Sequence, residues 1–178
     1  MHVFTKSGYR LGKTSLETRI SYSAFLLLML PGLATMLALS IGRIGIRPQA
    51  IAAFYRGGQG EMSFPKELWQ LMEEAHFHLF SVPVILLVLT HLLFATGCPP
   101  RTRVTISLGL WTGAVLEIGA PFAVRYWSAA FAPFLILGWA LLSAGMLASV
   151  GYSLAALWGG APPEAPPEPQ APRSTPSP

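Results

Sequence analysis

Charge is scarce in this chain. Only 11% of its 178 residues are Asp, Glu, Lys or Arg, against about 25% in an ordinary soluble domain. Most of what charge there is crowds into residues 6–19, 43–74 and 101–103, leaving long stretches with none. Cysteine is nearly absent. Cys98, alone in the turn Gly97-Cys98-Pro99-Pro100, excludes an internal disulfide and any Cys-x-x-Cys metal or redox motif. Basic runs and aromatic platforms are missing too, so the net charge of +4 does not point to nucleic acid. It reads as topology signals and contacts to anionic lipid headgroups. The segment Tyr55-Arg56-Gly57-Gly58-Gln59-Gly60 is glycine-rich but lacks the Gly-Lys-Ser/Thr of a phosphate loop. With no nucleophile–base pair, oxyanion motif or nucleotide fingerprint, catalysis by this chain alone is not expected.

What the sequence has is apolar length. Hydrophobic residues make up 52% of it, and four stretches reach the ~20 residues needed to cross a bilayer. They fall at about residues 20–41, 76–96, 104–124 and 129–158. The prediction is an all-α polytopic membrane protein, a four-helix transmembrane bundle over residues 20–158. Pro31 and Pro83 lie inside the first two spans without excluding them, because neighbouring helices can re-satisfy the freed carbonyls, and each predicts a kink. Residues 1–19 form a basic leader. The apolar stretch after it is of spanning length without a small-residue cleavage site, so it reads as an uncleaved first helix. Residues 161–178 (APPEAPPEPQAPRSTPSP) are too proline-rich and polar to build a core and predict a disordered tail.

Orientation follows from Lys and Arg. Lys6, Arg10, Lys13, Arg19, Arg101, Arg103 and Arg173 fall on one side, and Arg43, Arg47, Arg56, Lys66 and Arg125 on the other. Seven against five, with the leader nearly all basic, predicts both termini in the cytoplasm. Tyr126 and Trp127 then sit at the outer interface and Trp158 at the inner one. The outer connection, residues 43–75, carries Ser63-Phe64-Pro65, which reads as a cap and first turn. The expectation is a periplasmic helical extension beginning near Phe64 and running on into the second span.

The second span carries three histidines. Ionisable side chains inside a bilayer usually mark a site or an inward polar contact. His76 and His91 are fifteen residues apart, so on an α-helix they lie about 60° apart in azimuth and about 22 Å apart along the axis. His78 lies on nearly the opposite side from His76. Two same-face imidazoles, one toward each leaflet, can offer one axial ligand each to two stacked haems b. The arrangement resembles the His-bearing helices of membrane cytochromes b. Second ligands would have to come from a partner membrane subunit, a second copy of the chain, or a methionine such as Met29, Met36 or Met146. The only other histidine is His2.

Other readings use the same residues. Glu73 and His76 form a Glu-x-x-His, one half of a di-iron signature whose other half is absent. A single metal held by Glu73, His76 and His78 is a related candidate. Ion pairs from Glu73 and Glu74, one turn earlier, would satisfy both imidazoles structurally. In the third span Glu117 follows Gly109 and Gly113 at four-residue steps, on a stripe where a partner helix can approach closely. That turns Glu117 inward as a buried polar partner, with His76 or His91 as the expected contact.

The segment Phe54-Tyr55-Arg56-Gly57 … Phe64-Pro65-Lys66 … Glu74-x-His76-x-His78-Leu79-Phe80 … Pro83-Val84 … His91-Leu92 resembles a group of uncharacterised bacterial four-helix inner-membrane proteins, some associated with cytochrome-rich respiratory systems. The likeness spans about residues 54–94 and implies a bacterial inner-membrane location and a redox setting. The leading expectation is a b-type haem-binding electron-transfer or respiratory-complex subunit, embedded in lipid and assembled as a homo-oligomer or with a partner subunit. The alternatives are a non-catalytic membrane anchor with structural histidines and a proton- or metal-handling protein built on His76, His78 and Glu117.

Overall fold

The computed structural model describes residues 10–58 and 64–159. Five α-helices follow one another: α1 (Leu16–Arg43), α2 (Pro48–Arg56), α3 (Leu68–Phe94), α4 (Pro100–Tyr126) and α5 (Ala132–Trp158). Short 3-10 turns, Leu11–Lys13 and Ala129–Phe131, precede α1 and α5, and there is no β-strand among the described residues. α1, α3, α4 and α5, the last with its leading turn, are each long and apolar enough to cross a membrane. The fold is the expected all-α polytopic bundle. At ~1.5 Å per residue, helices of 27–28 residues are about 40 Å long. That exceeds the ~30 Å hydrocarbon layer, so the spans tilt or stand out of it.

Local chemistry sets the helix ends. Ser15 caps α1 by accepting the Thr18 N–H, and Gly45 (φ 85°) takes the left-handed conformation just past the end of α1. Pro48 and Pro100 open α2 and α4 at positions where a missing N–H costs nothing. α3 starts later than the sequence predicts, at Leu68. Its cap is a capping box between Glu67 and Gln70, with the Glu67 N–H donating to Gln70 Oε1 at 3.1 Å. Phe64 and Pro65 stay outside the helix because the chain there is a bracket: the Lys66 N–H donates to the Tyr55 carbonyl at 3.0 Å. Ser63, the expected cap, lies outside the described residues, as do His2 and the 161–178 tail.

α4 and α5 pack most closely. A Cβ on Gly113 would stand 2.9 Å from the Leu142 nitrogen and 3.1 Å from the Gly138 carbonyl oxygen, and one on Gly138 would stand 2.9 Å from the Glu117 nitrogen. Gly145 likewise leaves room for the Leu110 side chain. Gly109, the first member of the anticipated pair, has no neighbour within 4 Å of such a Cβ. The backbone contact is therefore Gly113 across from Gly138, between two helices rather than along one.

Apolar side chains fill three levels. At the α2 end, Ile51, Tyr55, Leu71, Val124, Leu135 and Trp139 are buried together. Leu86, Leu110, Ala114 and Leu142 occupy the middle. Leu11, Leu26, Leu89, Leu92, Val150 and Leu157 close the opposite end. Met29 and Met146 pack against this last group, which is a packing role. α1 is peripheral and packs chiefly along α5. Leu28, Phe77, Phe80, Leu87 and Val115 point outward, an apolar exterior suited to lipid.

Arginines counted above as topology signals also do structural work. Arg56 Nη1 donates to the Val124 and Arg125 carbonyls (3.0 and 3.3 Å), satisfying the C-terminus of α4. Arg125 Nε donates to the Lys66 carbonyl at 2.7 Å and ties the bracket down. At the other end, Arg103 Nη1 caps the Phe94 carbonyl of α3, the Leu11 N–H donates to Ala95, and Trp158 Nε1 donates to Ser23 Oγ.

Candidate functional site

The three α3 histidines part company. His78 turns into the bundle. Its Nδ1 lies 2.7 Å from the Glu74 carbonyl oxygen one turn earlier, and its Nε2 lies 3.4 Å from Glu117 Oε1 of α4. Glu117 is therefore an inward polar residue, as its glycine stripe implied, but its partner is His78 rather than His76 or His91. The angles among the α3 histidines could not reveal this, because the position of α4 beside α3 decides which imidazole it meets. The Glu74 contribution to His78 is a backbone carbonyl, not the carboxylate ion pair anticipated from spacing.

This geometry fixes a tautomer: a carbonyl only accepts, so Nδ1 carries a hydrogen and Nε2 is the nitrogen turned to Glu117. The second carboxyl oxygen, Glu117 Oε2, is buried and has no hydrogen-bond partner among the described residues. A buried acceptor without a partner costs about 1–3 kcal/mol. This orphan oxygen is the clearest sign of a site.

Around it lies a cavity of about 510 Å³. It occupies the α2 end of the bundle, between α1, α3, α4 and α5, within the ~300–1,000 Å³ range of small-molecule sites. Its polar wall holds Tyr55, Glu74, His78 and Glu117. Its apolar wall includes Met36, Phe122, Leu135 and Trp139, and Arg43 and Lys66 also line it. Lys66 Nζ sits 4.6 Å from the centroid of the Phe54 ring. Burial, then the negative charge of Glu74 and Glu117, raise the Tyr55 phenol well above its ordinary pKa. Tyr55 thus stays a hydroxyl donor.

His76 and His91 remain on the exterior of α3. The His76 ring packs on Phe80, 5.0 Å between centroids, and edge-on to Phe77 at 6.0 Å. Helical spacing puts Phe80 and Val84 each within about 20° of His91 in azimuth. His76, Phe80, Val84 and His91 therefore share one outward stripe, bordered near His76 by an open groove with Ser81 and Ile85. Glu73 is exposed. Among the described residues, no three His, Cys, Asp or Glu side chains gather as a metal-ligand group, so Glu73, His76 and His78 do not converge. Haem meets a similar test. Met29 and Met146 pack in the core and Met36 lines the cavity, while His76 and His91 face outward.

Sequence reasoning missed Tyr55 and Trp139 as parts of the site. Tyr55 lay in a glycine-rich segment that matched no phosphate loop, and α2 (Pro48–Arg56), which carries it into the cavity, was not anticipated. Trp139 gave no signal, because a tryptophan in an apolar span reads as packing.

Residues 45–164 match a family of transmembrane helical domains (Aq_1264_TM). No curated protein and no solved structure matches the chain.

Proposed function

The chain belongs to the Aq_1264_TM family of transmembrane helical domains, and from that premise we propose that it serves as a membrane subunit of an electron-transfer assembly. In this reading α3 contributes His76 and His91 as axial ligands to haems b held against a facing helix of a second copy or partner subunit. The observation that carries the proposal is the division of the α3 histidines. His78 is taken up by Glu117 within the bundle, whereas His76 and His91 stay on one outward stripe. A haem seated on this stripe would cover both rings and shield them from lipid.

Haem would supply one-electron chemistry. The chain's part is to present the two imidazoles about 22 Å apart along α3 and to line the space between them with Phe80, Val84 and Leu87. The same proposal places the protein in a bacterial inner membrane with both termini cytoplasmic and the cavity toward the periplasm. The excess of Lys and Arg on the leader side supports that orientation.

A second reading has a specific observation behind it. The His76 ring is already packed at a tilt against Phe80, as a purely structural histidine of an accessory membrane protein would be. Haem titration of the full-length protein in lipid nanodiscs, containing one or two copies per disc, separates the two. The electron-transfer reading expects saturable binding with a bis-axial spectrum in two-copy discs. The accessory reading expects only non-saturable partitioning in both.

A further inference from the structure

The cavity at the α2 end does not take part in the haem reading. Its features point to a ligand of its own. Tyr55, Glu74, His78 and Glu117 make a polar pole, and Phe122, Leu135 and Trp139 offer flat and aliphatic surface. At the polar wall, Glu117 Oε2 is buried without a partner and Glu117 Oε1 stands a long 3.4 Å from His78 Nε2. A ligand hydroxyl near Oε2 finds an acceptor that no group among the described residues uses.

Charge narrows the ligand further. The two cations that line the cavity, Arg43 and Lys66, offset the carboxylates of Glu74 and Glu117. With His78 as a neutral imidazole the formal charge of the lining is balanced, which suits a neutral molecule rather than an anionic lipid headgroup or a cationic amphiphile. Glu117 Oε2 can accept from a ligand hydroxyl, and the neutral Tyr55 phenol can donate to a carbonyl oxygen or accept from a hydroxyl. α1 packs chiefly along α5, and residues of both α1 and α4 border the cavity, so a lateral entry would lie between those two helices.

We infer that this cavity is a binding site for the ring of a lipid-soluble quinone or hydroquinone, with His78 and Glu117 at one ring oxygen. A neutral ring with oxygens at opposite edges and an apolar tail matches the polar pole and the flat apolar walls.

The test uses the full-length protein in nanodiscs of neutral lipid, with decylubiquinone and its reduced form as probes. Binding is read by quenching of tryptophan fluorescence, and position by crosslinking with an azido-quinone and peptide mapping. The expected result is saturable binding of both probes, crosslinks on α1, α4 or α5 facing the cavity, and at least tenfold weaker binding in Glu117→Gln. Ala75→Phe fills the cavity from α3 without removing a polar group and is expected to weaken binding equally. It keeps the test valid should Glu117→Gln lose helical structure. Dodecyltrimethylammonium and phosphatidylglycerol are expected not to compete. Non-saturable partitioning with crosslinks scattered over the lipid-facing helices overturns the inference. So does displacement by either charged amphiphile, or unchanged binding in a folded Ala75→Phe variant.

Discussion

Replacing Gly138 by alanine should separate α4 from α5 at the level of Glu117. Alanine is the better helix former by up to about 1 kcal/mol, so propensity alone predicts a gain. The structure predicts the reverse. A Cβ at this position would stand 2.9 Å from the Glu117 nitrogen, 3.1 Å from the Gly113 carbonyl oxygen and 3.1 Å from Leu116 Cβ. Two of these three are backbone atoms, which cannot swing aside as a flexible side-chain tip can. Relief requires the helices to move apart, and overpacking of this kind costs about 1–3 kcal/mol. The net expectation is a loss of about 1–2 kcal/mol. The assay is reversible unfolding in mixed detergent micelles, followed by circular dichroism as the fraction of denaturing detergent rises. Gly109→Ala and Gly151→Ala are the controls, since a Cβ at either meets nothing within 4 Å, and both should be neutral or slightly stabilising. If Gly138→Ala proves as stable as Gly109→Ala, the close α4–α5 crossing is wrong.

Arg56→Ala should leave the Val124 and Arg125 carbonyls without their side-chain donor. The local cost is about 1 kcal/mol, discounted for exposure, and should appear as faster hydrogen exchange over α2 and the 64–67 bracket while the spans stay protected. Gly113→Ala should behave like Gly138→Ala, because its Cβ would meet the Leu142 and Gly138 backbone at 2.9 and 3.1 Å. Tyr55 predicts a pH effect. Its raised pKa means it contributes stability that is present below the unfolded value of ~10 and fades as pH rises past it. Absorbance titration should therefore show a late-ionising tyrosine that disappears in Tyr55→Phe, with alkaline destabilisation reduced in the same variant.

Much of the fold could be read in the residues because a bilayer imposes so few solutions. Four apolar runs near 20 residues leave little besides spanning helices, and scarce charge excludes a soluble domain. Pairing between helices was less legible. The four-residue spacing of Gly109, Gly113 and Glu117 pointed to a close approach. Which glycine mattered depended on Gly138, a residue 25 positions beyond Gly113 whose relevance only packing reveals. The site was divided in the same way. Glu117 and the three histidines stood out as ionisable groups in apolar sequence, but their partners did not. A helix's own geometry sorts His76 from His78, yet cannot say which of them faces α4. Tyr55 was hidden by α2, whose short amphipathic run lies in a segment dominated by turn-forming glycines.

The division of the α3 histidines is the centre of this account, and reduced-minus-oxidised absorbance spectra test it most directly. The protein should be purified in its native oligomeric form from membranes supplied with haem, alongside His76→Ala, His91→Ala and His78→Ala. The account predicts a Soret and α-band that fall by about half in each of the first two variants and survive in the third, whose imidazole belongs to Glu117. A folded wild-type oligomer without a Soret band would contradict it, as would a spectrum lost in His78→Ala but retained in His76→Ala and His91→Ala.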